Sequence, residues 1–150
     1  MRKWLWVTLV IAAFGLAGCG SEQWRDHQGE AVARTELQGN WVVVNYWAEW
    51  CAPCLHELPE FNRLAAARPD IRVFGVNYDG VSGEELRELS DRMGIAFPVM
   101  GQDFEKSLEL ERPQVLPTTY IFNPAGELVH SLPGPQTEAS LLALLDQDRD

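Results

Sequence analysis

The sharpest hydrophobic pattern in the chain begins at Trp41. Trp41-Val42-Val43-Val44-Asn45-Tyr46-Trp47 is β-branched and aromatic with one polar interruption, as expected of a strand buried on both faces. From Cys51 to about Ala67, apolar residues recur at helical spacing (Leu55, Leu58, Phe61, Leu64, Ala65), which predicts a helix with Pro59 as a kink inside it. Ile71 to Asn77 predicts a second strand. Ser82-Gly83-Glu84-Glu85 has the form of a capping box opening a helix through Met93, with Gly94 as its stop. A short strand is expected over Phe97 to Met100 and a short helix over Phe104 to Leu110. Thr118 to Phe122 predicts a strand, Asn123-Pro124-Ala125-Gly126 a turn, and Glu127 to Ser131 the returning strand. Thr137 caps a last helix through Leu145. The order is β-α-β-α, an insertion, then β-β-α. It predicts an α/β domain with parallel strands at the first crossover, antiparallel strands at the closing hairpin, and helices on both faces of a mixed sheet.

Upstream of Trp41 the pattern weakens. Ser21 to Asn40 is polar, with only scattered apolar residues (Trp24, Val32, Leu37). It reads as a tether and an irregular lead-in, with one weak strand at Ala31 to Arg34 and no clear N-terminal hairpin. The start of the chain is different again. Met1-Arg2-Lys3 is positive, and Trp4 to Leu16 is an apolar run of thirteen residues, short of the roughly 18–20 that cross a bilayer. That profile fits a signal peptide, and Leu16-Ala17-Gly18-Cys19 resembles the lipobox of bacterial lipoproteins at all four positions. The resemblance implies a signal peptide over residues 1–18 and a diacylated Cys19 as mature N-terminus. A tether and lead-in over 19–38 and a domain over 39–150 would follow. An uncleaved anchor helix is the alternative, and both readings place the domain on the periplasmic side of a bacterial membrane. Gly20 stands where an aspartate tends to retain lipoproteins at the inner membrane, so the outer membrane is slightly favoured.

Composition changes this picture little. One hundred and fifty residues suffice for one domain, and 46% hydrophobic residues can build a core. The net charge is −10, and near −12 without residues 1–18, with ten basic residues against 22 acidic. Such a body repels phosphate backbones and argues against a nucleic-acid partner. The three cysteines divide into a lone Cys19 and the pair Cys51 and Cys54, which excludes a scaffold stapled by several disulfides.

The pair carries the chemistry. Cys51 falls where a strand ends and a helix begins, near unpaired N–H groups and the positive end of the helix dipole, which favours thiolate and makes it a nucleophile. Cys54 follows one helical turn later on the same side and can close a disulfide with it. Pro53 fits the first turn, where its missing N–H is not needed. A structural zinc site needs four ligands, and His27, His56 and His130 offer no second cluster. No small-molecule cofactor is needed.

Trp47-Ala48-Glu49-Trp50-Cys51-Ala52-Pro53-Cys54, preceded by Val42-Val43-Val44-Asn45-Tyr46, resembles the active-site strand and helix of thioredoxins. The continuation to Glu57 and Pro59 (C-x-x-C-x-x-E-x-P) is closer to the TlpA/ResA-like extracytoplasmic thiol–disulfide reductases. Val115-Leu116-Pro117-Thr118-Thr119-Tyr120-Ile121-Phe122 resembles a second landmark of that superfamily. The resemblance spans roughly Gly39 to Leu145. It implies a thioredoxin-like fold, with Pro117 as a cis-proline facing the cysteine pair. The backbone of Leu116 would be offered to a substrate's extended chain, and Trp50 would shield one side of the sulfurs. Glu57, three residues after Cys54 and so on its helical face, would accept the Cys54 proton. Thioredoxins use a buried aspartate in the first strand for that task; here Asn45 stands there, and an amide cannot exchange a proton. The implied function is protein-disulfide reduction by Cys51 and Cys54, with client protein disulfides as substrates and a membrane electron donor of the DsbD or CcdA type as partner. Leu55, where a basic residue is frequent, and Leu116, bulkier than the usual residue, depart from the pattern and bear on partner identity. Two other functions fit the pair: a thiol oxidase, and a copper chaperone holding Cu(I) through Cys51, Cys54 and His130, although copper proteins of this fold usually space their cysteines one residue wider. A peroxidase is disfavoured because the P-x-x-x-T-x-x-C motif is missing.

Overall fold

A computed structural model describes residues 23–148; the signal-peptide and lipidation readings, Cys19 included, lie outside the described residues. Its centre is the strand the sequence marked most strongly. β3 (Trp41–Trp47) is buried at all seven positions because it has neighbours on both edges and layers on both faces. The other strands are β1 (Gln23–Arg25), β2 (Ala31–Ala33), β4 (Ile71–Asn77), β5 (Val99–Met100), β6 (Thr118–Phe122) and β7 (Leu128–Pro133). The main sheet runs β5-β4-β3-β6-β7. β4 is parallel to β3, with Trp41 opposite Ile71, and β6 is antiparallel to it, with Asn45 opposite Thr119. This is the mixed α/β arrangement that the element order predicts.

Strand alternation sorts the core. Trp41, Val43 and Trp47 share one cluster with Leu58, Phe61 and Leu64 of α1 (Ala52–Ala67), Leu86 and Leu89 of α2 (Gly83–Arg92), and Leu141 and Leu145 of α4 (Glu138–Gln147). Val42, Val44 and Tyr46 share the other with Trp24, Val32, Phe74 and Phe104 of α3 (Gln102–Ser107). Asn45 has the parity of Val43 and Trp47, and so faces α1.

The lead-in segment has the expected weak strand, as β2 (Ala31–Ala33), but departs from expectation in pairing it. β1 and β2 form an antiparallel hairpin, Trp24 opposite Val32, with both side chains buried. Trp24 meets Phe104 edge-on at 5.1 Å. The turn is tied by Asp26 Oδ1, which accepts from the Gln28 and Glu30 N–H groups at 2.9 Å each. His27 then extends the pairing onto β5: its N–H donates to the Val99 carbonyl at 2.8 Å, and its Nδ1 accepts from the Val99 N–H at 3.1 Å. Each three-residue strand buries one large side chain, too few to show a period, and the pairing is closed by tertiary contact.

One cap and two boundaries also differ from expectation. Ser82 is the N-cap of α2 but makes no side-chain capping bond, and Gly83 enters the helix at φ +61°. α3 begins two residues earlier than expected, and β7 extends to Pro133 opposite Thr118. α4 does have the cap its sequence announces: Thr137 Oγ1 accepts from the Ser140 N–H at 3.1 Å, and Ser140 Oγ accepts from the Thr137 N–H at 3.0 Å. Thr137→Ala is expected to destabilise the domain by about 1 kcal/mol in denaturant unfolding, without altering the cysteine chemistry.

Candidate active site

The turn from β3 into α1 builds the site. Cys51 is the N-cap of α1, in extended conformation (φ −90°, ψ 95°), and its Sγ accepts from the Cys54 N–H at 3.3 Å. In most helices an oxygen caps this amide; here a sulfur does. Ala52 and Pro53 fill the first turn, where the proline removes no helical hydrogen bond. Cys51 and Cys54 are joined as a disulfide with Cα atoms 5.3 Å apart, and are 4% and 0% exposed. When the bond opens, the first-turn amide and the helix dipole remain aimed at the Cys51 sulfur, an electrostatic bias toward thiolate that Cys54, inside the helix, does not share.

Three residues after Cys54 on α1, Glu57 is 1% exposed rather than solvated. Its Oε1 accepts from Asn45 Nδ2 at 2.6 Å and its Oε2 from the Gln136 N–H at 2.9 Å. Burial outweighs these two bonds and pushes the Glu57 pKa up from 4.5 to about 7. A carboxyl poised there takes or gives a proton at neutral pH. The residue sits on the same helix as Cys54, three positions on.

The segment before β6 contributes the other wall. The Leu116–Pro117 peptide is cis, as the resemblance implies. Leu116 packs against the cluster that contains both cysteines, and the Pro117 carbonyl accepts from the Gly134 N–H at 2.8 Å. Gly134 and Gln136 thus tie one loop to both the cis-proline and Glu57. Trp50 is 65% exposed, with its Nε1–H held by Asp79 Oδ2 at 2.9 Å and its ring edge-on to Tyr78 at 6.2 Å. The Arg112 guanidinium covers the other reach of Tyr78, 4.1 Å from the ring centre. Trp50 before Cys51, Leu55 on α1 after Cys54, and Val115 before the cis-proline are exposed apolar side chains.

His130 is elsewhere. It pairs with Asp148 at 2.7 Å and lines a surface cleft with Trp41 and Asn123, at the start of β3. The cysteines follow the end of that seven-residue strand, about 20 Å away at 3.3 Å per residue. The Cu(I) site of Cys51, Cys54 and His130 is therefore not assembled by this fold. Asn45 and Gln136 as the partners of Glu57 went unread in the sequence. A polar residue inside an otherwise apolar strand was the signal for Asn45; a backbone amide leaves none.

The AhpC/TSA family profile matches residues 12–131. The chain belongs to that family. Within it, the chain is similar to the ResA thiol-disulfide oxidoreductases. It is 30% identical over 117 residues to the thiol-disulfide oxidoreductase ResA of Halalkalibacterium halodurans, covering 75% of this chain and 65% of that protein. With ResA of Bacillus subtilis it shares 29% over 118 residues, covering 77% and 65%. The chain thus spans about two thirds of the length of these relatives. Among solved structures, the exposed lipoprotein thioredoxin Etrx1 of Streptococcus pneumoniae superposes with TM-score 0.70 at 24% identity, covering 85% of this chain and 98% of that one. StoA of Bacillus subtilis gives 0.67 at 21%, covering 83% and 95%. These neighbours establish the thioredoxin-like fold.

Proposed function

We propose that the chain is a thiol–disulfide oxidoreductase that reduces client protein disulfides through Cys51 and Cys54. The observation that carries this is the Cys51 sulfur seated on the first-turn amide of α1, with Cys54 bonded to it one turn behind. In the reduced protein the Cys51 thiolate attacks one sulfur of a client disulfide, forming a mixed disulfide and expelling a client thiolate that takes a proton from water. Cys54 passes its proton to Glu57 and attacks the Cys51 sulfur, which expels the second client sulfur as a thiolate that takes a proton from water. Two electrons move to the client and the chain ends as the 51–54 disulfide. Leu116, beside the cis-proline, offers backbone to the client's extended chain, and Trp50 shields the sulfurs.

The remaining proposals concern place and partner. Cys19 carries the lipid anchor after removal of residues 1–18, residues 19–38 lead into the 39–150 domain, and catalysis takes place on the extracytoplasmic side. Support comes from the L-A-G-C motif and from a fold neighbour named as an exposed lipoprotein. A compartment without its own reductant then requires a membrane donor of the DsbD or CcdA type. Reduction is favoured over oxidation because Ala52-Pro53 places no histidine between the cysteines to stabilise thiolate further.

Insulin reduction with a chemical reductant tests the activity, and equilibration with glutathione fixes the direction. A potential well below about −200 mV is expected for a reductase, whereas one near −120 mV marks an oxidase. Trp50→Ala is expected to raise KM several-fold with kcat little changed, since an exposed indole binds client without entering the bond exchange. A fall in kcat alone would remove Trp50 from the docking surface.

A further inference from the structure

Asn45 is wholly buried in the middle of the central strand and faces α1. Its Nδ2 donates to Glu57 Oε1 at 2.6 Å and stands 3.5 Å from Thr119 Oγ1. Its Oδ1, equally buried, has no hydrogen-bond partner. A buried amide oxygen without a partner is a standing destabilisation. The amide is thus held at one end, by the carboxyl and the Thr119 hydroxyl, and no hydrogen bond on its far side opposes a half-turn about χ2 that exchanges Nδ2 and Oδ1.

The chemistry of the carboxyl gives that freedom a use. A carboxylate only accepts, so it needs an N–H facing it; a carboxylic acid donates and needs an acceptor. Oε2 is engaged by the Gln136 N–H, so an incoming proton settles on Oε1, the oxygen that faces Asn45. The Thr119 hydroxyl suits both orientations, because it accepts from Nδ2 in one and donates to Oδ1 in the other.

We propose that Asn45 is the positioning residue for proton transfer at Glu57: its amide turns N–H toward the carboxylate and C=O toward the acid. The carboxyl then keeps a bonded partner, and its place, before and after it takes the Cys54 proton. The source of that proton rests on the oxidoreductase reading; the pairing of Asn45 with Glu57 does not. Besides its own burial, the groups acting on the Glu57 carboxyl are the Gln136 N–H from the loop before α4 and the Asn45 amide from β3. A second carboxyl at position 45 would instead share one proton with Glu57, as like charges at that distance do.

The test follows two signals in the full chain by nuclear magnetic resonance across pH 5 to 9: the carbon-13 shift of the Glu57 carboxyl and the side-chain amide shifts of Asn45. In the parent protein both are expected to move with one midpoint near 7, and Glu57→Gln should flatten the Asn45 response. Asn45→Leu, which offers neither donor nor acceptor, should raise the Glu57 midpoint by about one pH unit or more. The rising limb of the pH–rate profile should shift by the same amount. If the leucine variant fails to fold, Asn45→Asp carries the test, with the Glu57 titration splitting into two separated steps. A Glu57 midpoint unchanged in both variants, or Asn45 shifts that ignore pH in the parent, would overturn the assignment. Coupled titrations in a chain that does not reduce disulfides would leave Asn45 as assigned and sink the oxidoreductase reading.

Discussion

Cys51→Ser is expected to lower disulfide reduction by at least about a thousandfold, the scale on which an essential nucleophile is lost. Serine keeps the N-cap, so the fold should persist, but its hydroxyl does not ionise at neutral pH and cannot attack a disulfide. Cys54→Ser has a different signature. Cys51 still attacks, the mixed disulfide has no resolving thiol, and client proteins should accumulate on Cys51 as adducts that a reductant removes. Non-reducing electrophoresis with mass spectrometry reads both outcomes, and the trapped adducts name the clients. The asymmetry is the point: Cys51 alone sits on the first-turn amide, so exchanging the roles of the two cysteines in this experiment would contradict the geometry.

The second large effect is a stability that falls as pH rises. Glu57 titrates at about 7 in the folded chain against 4.5 as its ordinary value, because burial disfavours its charge. Between those values the folded state binds a proton that the unfolded state has released. Its contribution is therefore complete below about 4.5 and is lost as pH climbs through 7. The shift corresponds to roughly 3 kcal/mol, an upper figure because local relaxation and water entry soften burial. Urea unfolding of the oxidised protein should show stability declining from pH 5 to pH 8, with the slope largely removed in Glu57→Gln. A flat profile in the parent would mean that the carboxyl is hydrated. The same group ties stability to turnover: as pH climbs from about 4.5 to 7 the fold weakens, and the carboxylate that predominates beyond that range is the proton acceptor for Cys54.

The parts of the molecule visible in sequence are those that local physics decides. β3 stands out because a strand covered on both faces must be apolar at nearly every position, and α1 because its buried face repeats through Leu58, Phe61 and Leu64. The cysteine pair is visible for the same reason: a strand-to-helix turn dictates where a thiolate can be stabilised. Elements that depend on distant partners were invisible. Trp24 and Val32 pair across a turn, and Trp24 is secured by Phe104, far along the chain in α3. The serine of Ser82-Gly83-Glu84-Glu85 spells a capping box whose side-chain bond the fold does not make. Glu57 reads as a carboxylate on the helical face of Cys54, and only the fold shows it buried and closed in by Asn45 and the Gln136 amide. His130, grouped with the cysteines by ligand type, lies at the other end of the central strand.

The most direct measurement is the rate of iodoacetamide alkylation at each cysteine of the reduced protein, resolved by mass spectrometry across pH 5 to 9. Cys51 should react with a midpoint at least one unit below the roughly 8.5 of a free thiol, and Cys54 should lag at least about tenfold at pH 7. Equal rates at the two sulfurs, with midpoints near that of a free thiol, would contradict the account.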